Sequence, residues 1–302
     1  MQACETNSPL LNHRELEALH WHVLEREHHQ QHAVAASYSG PFRSNMRGHG
    51  MELHDSRPYQ TGDDIRHIDW RATARSGKPT TKVFVEERCR NSFIVIDRQR
   101  SMQFGTRREL KVTTAARATA ILIFSALAAR ESVAGIVIDE AIKFFPPALN
   151  LHNVFPLIQA VIKPPAQHAN NQSKIDIEFL LESINHHISP GSSLFLLSDF
   201  CDYEKTHIGG LKELSRHHES MAIRIIDRAE EVLTNSGKIR IAVPGTQDSA
   251  VIDTSDPFIR KQYADNMADR HQALHNIFIR SDIKMETIYT DQDTFDQLNE
   301  RL

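Results

Sequence analysis

Short apolar runs alternate with longer helical patterns from about Phe93 to the end of the chain. The apolar runs predict strands at residues 92–97, 132–139, 193–199, 221–227 and 283–290. The helical patterns predict helices at residues 109–131, 151–163, 174–188, 206–219 and 257–280. Continuous apolar strands separated by helices are typical of a parallel sheet that helices cover on both faces. The pattern therefore predicts a doubly wound, mostly parallel α/β domain over residues 93–302.

Three shorter elements complete this predicted domain. Residues 140–148 predict an edge strand that ends at Pro146 and Pro147, because proline has no N–H to donate to a sheet. Residues 238–243 and 249–253 predict a small inserted hairpin. A last short helix is predicted at residues 295–302.

The segment from Arg14 to His32 is rich in histidine, which raises two possibilities. Clustered histidines could bind a metal or respond to pH; they are His20, His22, His28, His29 and His32. Apolar residues also recur there at helical spacing among Glu and Gln, namely Leu16, Leu19, Val23 and Leu24. This spacing favours a solvated amphipathic helix.

The stretch from Ser44 to Lys82 is dense in Gly, Asp, Arg and His and has no sustained periodicity of either kind. It predicts an irregular or β extension. The predicted organisation is an N-terminal helical segment at residues 1–40, an Arg/Asp-rich extension at 41–92 packed on the core, and the α/β domain at 93–302.

Composition narrows the functional classes. The 302 residues are 40% hydrophobic and 25% charged, which suffices for a sizeable core. A net charge of −4 disfavours nucleic acid as a partner. The longest apolar stretch, Ala115 to Ala129, is interrupted by Arg117 and predicts a buried helix and no membrane span. Three distant cysteines without a CxxC pair and a start unlike a secretory signal predict a cytoplasmic protein.

Two predicted strands end in acids, at Asp97 and Asp199. Open α/β sheets bind ligands at the carboxyl ends of their strands, where the strand order reverses. If it reverses between these two strands, both carboxylates could hold a hard cation such as Mg²⁺, with the Ser101 hydroxyl as a further ligand. The alternative is that both acids only cap the helix or turn that follows each of them.

The stretch from Met51 to Arg88, followed by a strand and the pattern DxxxSM, resembles a bacterial family filed as domain of unknown function fifty-eight. The similarity extends from about Gly48 to Asp202 and is weaker in its later part, which includes Ser198 to Phe200. The matching residues are Arg57, Tyr59, Gly62, Asp63, Asp64, Arg66, Ile68, Asp69, Trp70, Ala74, Arg75, Lys82, Glu86 and Glu87.

The resemblance implies a fold and a partner. Members of this family resemble von Willebrand factor A domains and are commonly associated with MoxR-type AAA+ ATPases, in chaperone-like maturation or metal insertion. No enzymatic activity is established for the family. The resemblance therefore implies a von Willebrand factor A-like domain that acts on an unknown client protein together with a MoxR-type ATPase.

The resemblance also implies a metal-ion-dependent adhesion motif, Asp-x-Ser-x-Ser, which maps onto Asp97, Gln99 and Ser101. Gln99 stands where the motif has its first serine, and Asp199 matches the acid of the third loop. The second loop offers Ser173 or Asp176 and no matching threonine. Arg98 and Arg100 flank the motif with positive charge that opposes a cation. The motif is thus a degenerate one.

The signature before the core has two possible roles. Arginines beside its acids suggest a structural ion-pair network; they are Arg57, Arg66, Arg71 and Arg75. The acids Asp63, Asp64 and Asp69 could instead hold a hydrolase metal, although no base other than His67 accompanies them. Trp70 is predicted to be a core anchor.

The predicted function is a non-enzymatic adaptor that binds proteins through the degenerate loop. The sequence contains no GxxxxGK[ST] phosphate-binding loop, no GxSxG nucleophile motif and no HExxH zinc motif. The alternatives are a metal-dependent hydrolase that uses Asp63, Asp64 and Asp69, and a nucleic-acid binder that uses the arginines.

Overall fold

The computed structural model describes residues 8–37, 51–60, 68–86, 91–165, 175–242 and 249–301. The chain divides into two compact units, one made of Met1–Gln31 with Asn91–Leu302 and the other of His32–Arg90. The predicted boundaries at residues 40 and 92, and the packing of the extension on the core, stay predictions.

The strands and helices are numbered in chain order. The strands are β1 Met51–Pro58, β2 Thr80–Glu86, β3 Asn91–Asp97, β4 Ser132–Ile138, β5 Ile142–Ala148, β6 Ser193–Ser198, β7 Glu219–Ile226, β8 Lys238–Ala242, β9 Ser249–Asp253 and β10 Lys284–Tyr289. The helices are α1 His13–Ser37, α2 Trp70–Ser76, α3 Lys111–Ala128, α4 Leu151–Ile162, α5 Ile177–His187, α6 Ile208–His217, α7 Pro257–Arg280 and α8 Thr294–Asn299.

The first unit is built on a six-stranded sheet with the order β10-β7-β6-β3-β4-β5. All neighbouring pairs are parallel except β4 and β5. The chain leaves the central strand β3 toward β4 on one side and later returns to β6 on the other side. The strand order thus reverses between β3 and β6, which confirms the predicted α/β class with a mostly parallel sheet.

Alternate side chains of β3 enter two hydrophobic cores on opposite faces of the sheet. Ile94 and Ile96 pack with buried residues of α3 and α4, while Phe93 and Val95 pack with those of α5, α6 and α7. The predicted covering of both faces by helices is therefore confirmed. Helix α3 has the length and hydropathy of a membrane span, but 72% of that window is buried inside the structure.

The predicted edge strand is confirmed, because β5 lies at the edge of the sheet and ends at Ala148, directly after Pro146 and Pro147. The register between β4 and β5 shifts between Val133 and Gly135 at this point, which places both prolines in the irregular part of the pairing. An edge strand tolerates a missing N–H at such an irregularity, since one of its sides has no partner strand.

The hairpin insertion and the N-terminal helix were predicted from their patterns, and both are confirmed. Strands β8 and β9 pair antiparallel, while the connection between them, residues 243–248, lies outside the described residues. Helix α1 buries Leu19 and Val23 in the hydrophobic core that also contains Ile94 and Ile96. Of its histidines, His20 packs against Phe124 and His22 against Phe295, with ring centroids 4.9 and 5.6 Å apart.

The second unit contains more regular structure than its sequence predicts. Strands β1 and β2 pair antiparallel, and the short helix α2 precedes β2. Trp70 begins this helix with 68% of its surface exposed, so its predicted role as a core anchor is wrong. Trp70 is the first residue of this helix, directly after Asp69, whose side chain caps the helix by accepting from the Arg71 and Ala72 N–H groups.

Candidate functional site

Asp97 and Asp199 lie at the carboxyl ends of two adjacent parallel strands. Ile96 of β3 pairs with Leu197 of β6, so Asp97 lies level with Ser198 and one residue before Asp199. The Asp97 carboxylate accepts hydrogen bonds from Ser198 Oγ at 2.7 Å and from the Gln99 backbone N–H at 2.9 Å. The structure therefore places both predicted acids at the point where the strand order reverses.

Asp97 is a buried carboxyl group with an altered ionisation. Burial raises its pKa to about 6, although the hydrogen bond from Ser198 lowers it, and the neighbouring Asp199 raises it further. Carboxylates lose hydration on burial, and a nearby like charge adds to that cost. Protonated Asp97 is thus populated at mildly acidic pH.

Asp199 has a cationic partner inside the protein. Lys111, the first residue of α3, lies 2.8 Å from Asp199 Oδ2 and 2.6 Å from Glu230 Oε1, and its own side chain is 1% exposed. Burial alone would raise the pKa of Asp199, but the Lys111 ammonium lowers it below the usual range. Lys111 itself keeps a raised pKa despite burial, because the two carboxylates favour its charge. Asp199 and Lys111 therefore form a buried ion pair.

Ser101 and Asp199 both lie beside the Cys201 thiol. The Cys201 backbone N–H donates to Asp199 Oδ1 at 3.0 Å. Burial, with the charges of Asp199 and Asp202, raises the pKa of the Cys201 thiol to about 12. The thiol therefore stays protonated and is a poor nucleophile.

Phe200 turns the chain directly after Asp199. Its φ of 55° lies in the left-handed region, which non-glycine residues rarely adopt. Its ring is 2% exposed and packs edge-on against Phe278, with centroids 4.8 Å apart. Its backbone N–H donates to Ser198 Oγ at 3.0 Å. The packing and the hydrogen bond together hold this turn, so the carboxylate of Asp199 has a fixed direction.

The arginines that flank the motif have different positions from those expected. Arg98 is buried on the opposite face of the sheet from Asp97, where it donates to the carbonyls of Ala160 and Lys163 at the end of α4. A cation suits that helix end. Arg100 is exposed in a 3₁₀ turn. The positive charge next to Asp199 comes from Lys111, not from Arg98.

Asp227, which follows β7, anchors the loop that precedes α3. Its carboxylate accepts from the backbone and hydroxyl of Thr106, from the Ala229 N–H and from the Thr290 hydroxyl. The loop has Phe104 at its turn, with 42% of the side chain exposed and the ring centroid 6.0 Å from Lys111 Nζ. The two hydrogen bonds from Thr106 thus anchor the loop that carries an exposed aromatic ring beside the buried ion pair.

The remaining residues of the predicted metal motif do not complete a ligand set. Gln99 lines a cavity of about 10 Å³ with Asp97 and Tyr203. Asp176 caps α5 by accepting from the Glu178 N–H, while Ser173 lies outside the described residues. Within the described parts of the chain, no group of three or more His, Cys, Asp or Glu side chains is arranged to hold a metal ion.

The residues of the family signature lie in the second unit or outside the described ranges. Gly62, Asp63, Asp64 and Arg66 are outside them, as is His67. Arg57 belongs to β1, the Tyr59 N–H donates to Pro79 O, and Arg75 is exposed in α2. Asp69 accepts from the N–H groups of Arg71 and Ala72 as the cap of α2. A role for Asp63 and Asp64 in hydrolysis stays a prediction, while Asp69 has a structural role.

Asp97 and Asp199 line a crevice at the carboxyl ends of β3 and β6. Sequence reasoning missed three other residues of this crevice, namely Lys111, Ser198 and Glu230. Lys111 had a signal, because it is a charged residue at the start of an otherwise apolar helix. Ser198 stands directly before the strand-end acid and pairs in register with Asp97. Glu230 had no signal, since its contact with Lys111 spans 119 positions in sequence.

Comparison with known proteins identifies relatives. Uncharacterized proteins of Mycobacterium tuberculosis and Mycobacterium bovis are each 25% identical over 231 residues, covering 75% of this chain and 70% of theirs. Among solved structures, the conserved hypothetical protein BatB of Bacteroides thetaiotaomicron matches 70% of this chain and 95% of its own, with a TM-score of 0.41 and 12% identity. An aerotolerance-related membrane protein of Bacteroides fragilis matches 70% of this chain and 96% of its own, with a TM-score of 0.41 and 13% identity. The profile of the family described as "Protein of unknown function DUF58" matches residues 55–273, and the chain therefore belongs to this family.

Proposed function

We propose that this protein is a non-enzymatic adaptor of the cytoplasm, which binds a protein partner at the carboxyl edge of its sheet, around the loop from Gln99 to Leu110. The partner that the family resemblance implies is a MoxR-type AAA+ ATPase, with an unknown client. The doubly wound sheet is compatible with the von Willebrand factor A-like fold that the same resemblance implies.

The observation that carries the proposal is that the polar groups of the crevice at this edge are buried and paired with one another or with neighbouring residues. Asp97, Asp199 and Lys111 use their polar atoms on one another and on neighbouring residues, and each is at most 9% exposed. The cavity beside Asp97 measures about 10 Å³, and a second cavity of about 290 Å³ borders Asp199 and Glu230; ligand pockets typically measure about 300–1,000 Å³. Polar groups that are buried and already paired are better suited to support a surface than to react with a substrate.

The loop around the crevice has the composition of a contact surface. Phe104 and Arg100 are exposed, and Arg107 and Arg108 are exposed on the same loop, where they pair with Asp291 and Asp293 at 3.2 and 3.6 Å. Aromatic residues and arginine are enriched among residues that dominate binding energy at protein interfaces. The loop is also held by Asp227, so little conformational entropy remains to be lost on binding.

Affinity capture from native cells, after chemical cross-linking, tests the proposal. The tagged full chain is expected to recover a MoxR-type ATPase, with cross-links at the loop from Gln99 to Leu110. The variant Phe104→Ala is expected to recover much less, while Phe258→Ala, which changes an exposed phenylalanine at the start of α7, is the matched control. Equal recovery by both variants, or capture without any ATPase, would count against the proposed role.

A further inference from the structure

We infer that the Lys111 ammonium is the permanent cation of the crevice, in the place where the degenerate adhesion motif would hold a divalent metal. The inference concerns the same crevice as the proposed function, but it is tested on the isolated chain. A partner that fails to bind and a metal that does bind are therefore separate results.

The position of Lys111 is the first support. Its Nζ donates to Asp199 Oδ2, on the acid that the motif would offer to a metal. Mg²⁺ requires oxygen ligands at about 2.0–2.1 Å in octahedral geometry. A divalent ion within reach of that carboxylate would have a buried ammonium as a close neighbour, and like charges repel strongly where water is scarce.

The charge balance around Lys111 is the second support. The ammonium has three N–H donors, and Asp199 and Glu230 accept two of these hydrogen bonds at 2.8 and 2.6 Å. Glu230 is held in turn, because its other carboxylate oxygen accepts from the Asp227 N–H at 3.0 Å. Lysine therefore supplies one positive charge to two carboxylates, which is half of the charge that a divalent ion would supply.

The other residues of the motif, Asp97 and Ser101, contact groups of the protein itself. Both oxygens of Asp97 accept hydrogen bonds, from the Gln99 backbone N–H and from the Ser198 hydroxyl. The side chain of Ser101 lies beside the Cys201 thiol. The donor set thus fits an ion pair better than a divalent cation.

Mn²⁺ titration of the full chain tests the inference, with free Mn²⁺ followed by electron paramagnetic resonance and binding heat by calorimetry. The wild-type protein is expected to bind no Mn²⁺ below about 1 mM. The variant Lys111→Ser exposes Asp199 and Glu230 without their cation, so it is expected to bind Mn²⁺ at least about tenfold more tightly than the wild type. Its thermal midpoint is expected to rise on addition of Mn²⁺, since a ligand that binds only the folded state stabilises it.

Two further variants locate the effect. Glu230→Gln keeps the pair between Lys111 and Asp199, so it is expected to bind no more Mn²⁺ than the wild type. Asp199→Asn in the Lys111→Ser background is expected to remove the acquired binding. If Lys111→Ser does not fold, Lys111→Gln takes its place, because it keeps most of the side-chain length without the charge.

Two results would overturn the inference. The first is wild-type binding of Mn²⁺ in the micromolar range that Asp199→Asn abolishes, because a metal would then coexist with Lys111. The second is a folded Lys111→Ser or Lys111→Gln variant that binds no Mn²⁺, because a feature other than the ammonium would then exclude the metal.

Discussion

Ser198 Oγ lies 2.7 Å from Asp97 Oδ2 and joins the ends of β6 and β3 at the centre of the sheet. The same hydroxyl oxygen accepts from the Phe200 N–H at 3.0 Å. One serine thus connects the first acid of the degenerate motif with the turn that directs the second. Two acids far apart in sequence become parts of one hydrogen-bonded structure.

The buried carboxyl of Asp97 gives a prediction on pH. Because burial raises its folded pKa to about 6, above the usual 3.8, folding is favoured when Asp97 is protonated. This contribution is lost as the pH rises from about 4 to about 6. The variant Asp97→Asn should be more stable than the wild type at pH 8, by up to about 3 kcal/mol, and lose that advantage near pH 4.

Urea unfolding of both proteins between pH 4 and pH 8 measures this difference. Asp265→Asn changes an exposed acid on α7 and should follow the wild-type curve at every pH. A stability difference between Asp97→Asn and the wild type that is independent of pH would show that Asp97 is ionised throughout this range.

Removal of Lys111 should destabilise the fold. Lys111→Met leaves Asp199, which is 7% exposed, as a buried charge without its partner. Breaking a buried ion pair in this way typically costs about 3–5 kcal/mol. Denaturant unfolding measures the loss, and Lys261→Met, at an exposed position of α7, is the control.

The double variant Lys111→Met with Asp199→Asn should recover part of the loss, because the unpaired charge disappears. A double variant whose loss equals the sum of the two single losses would show that the two groups do not interact.

Asp227 should control the order of the loop that presents Phe104. The variant Asp227→Ala removes the acceptor of four hydrogen bonds, and about 3 kcal/mol of stability is expected to be lost. Hydrogen exchange should accelerate at the Thr106 and Ala229 amides before it does at those of β3. Asp269→Ala, at an exposed site on α7, is the control. Unchanged protection of Thr106 would mean that other contacts hold the loop.

Asp227 also contributes to stability in acid. Burial would raise its pKa, but the hydrogen bonds, chiefly from Thr106, lower it below the usual 3.8. A depressed pKa gives stability that is present above the unfolded value and is lost as the pH falls through the folded value. The destabilisation by Asp227→Ala should therefore shrink below about pH 4.

Gly105 should be required by the close approach of the loop to α3. A Cβ at this position would lie 2.3 Å from the Glu109 carbonyl oxygen and 2.8 Å from the Leu110 Cα. The variant Gly105→Ala must therefore displace backbone, and a loss of about 2 kcal/mol is expected. Gly209→Ala is the control, because no atom lies within 4 Å and alanine favours its helix by about 0.5–1 kcal/mol. Equal stability of both variants would contradict the described loop geometry.

The strands and helices of the first unit were largely predictable from the sequence. Continuous apolar strands and amphipathic helices carry periodicity, as the agreement of the predicted and observed α7 shows. The strand-end acids Asp97 and Asp199 were predictable as neighbours for the same reason. The hairpin of β1 and β2 and the helix α2 were not, because their side chains alternate weakly and the turns depend on single caps such as Asp69.

The chemistry of the crevice was less predictable than its position. A lysine at the start of an apolar helix does not reveal which acid it will meet, and Glu230 is brought to it by the turn after β7. Arg98 appeared from sequence to stand beside the motif, yet strand alternation directs it to the opposite face. Which charges meet in the crevice depends on tertiary packing.

Direct binding to a purified MoxR-type ATPase of the same genome tests the central claim, that the loop around the crevice is a protein-contact surface. The full chain is immobilised and the dissociation constant is measured by biolayer interferometry for the wild type and two double variants. Phe104→Ala with Arg100→Glu should weaken binding at least about tenfold, whereas Phe258→Ala with Lys212→Glu, both exposed elsewhere, should change it less than about twofold. Equal affinity of the two double variants, or no binding by the wild type, would contradict the account.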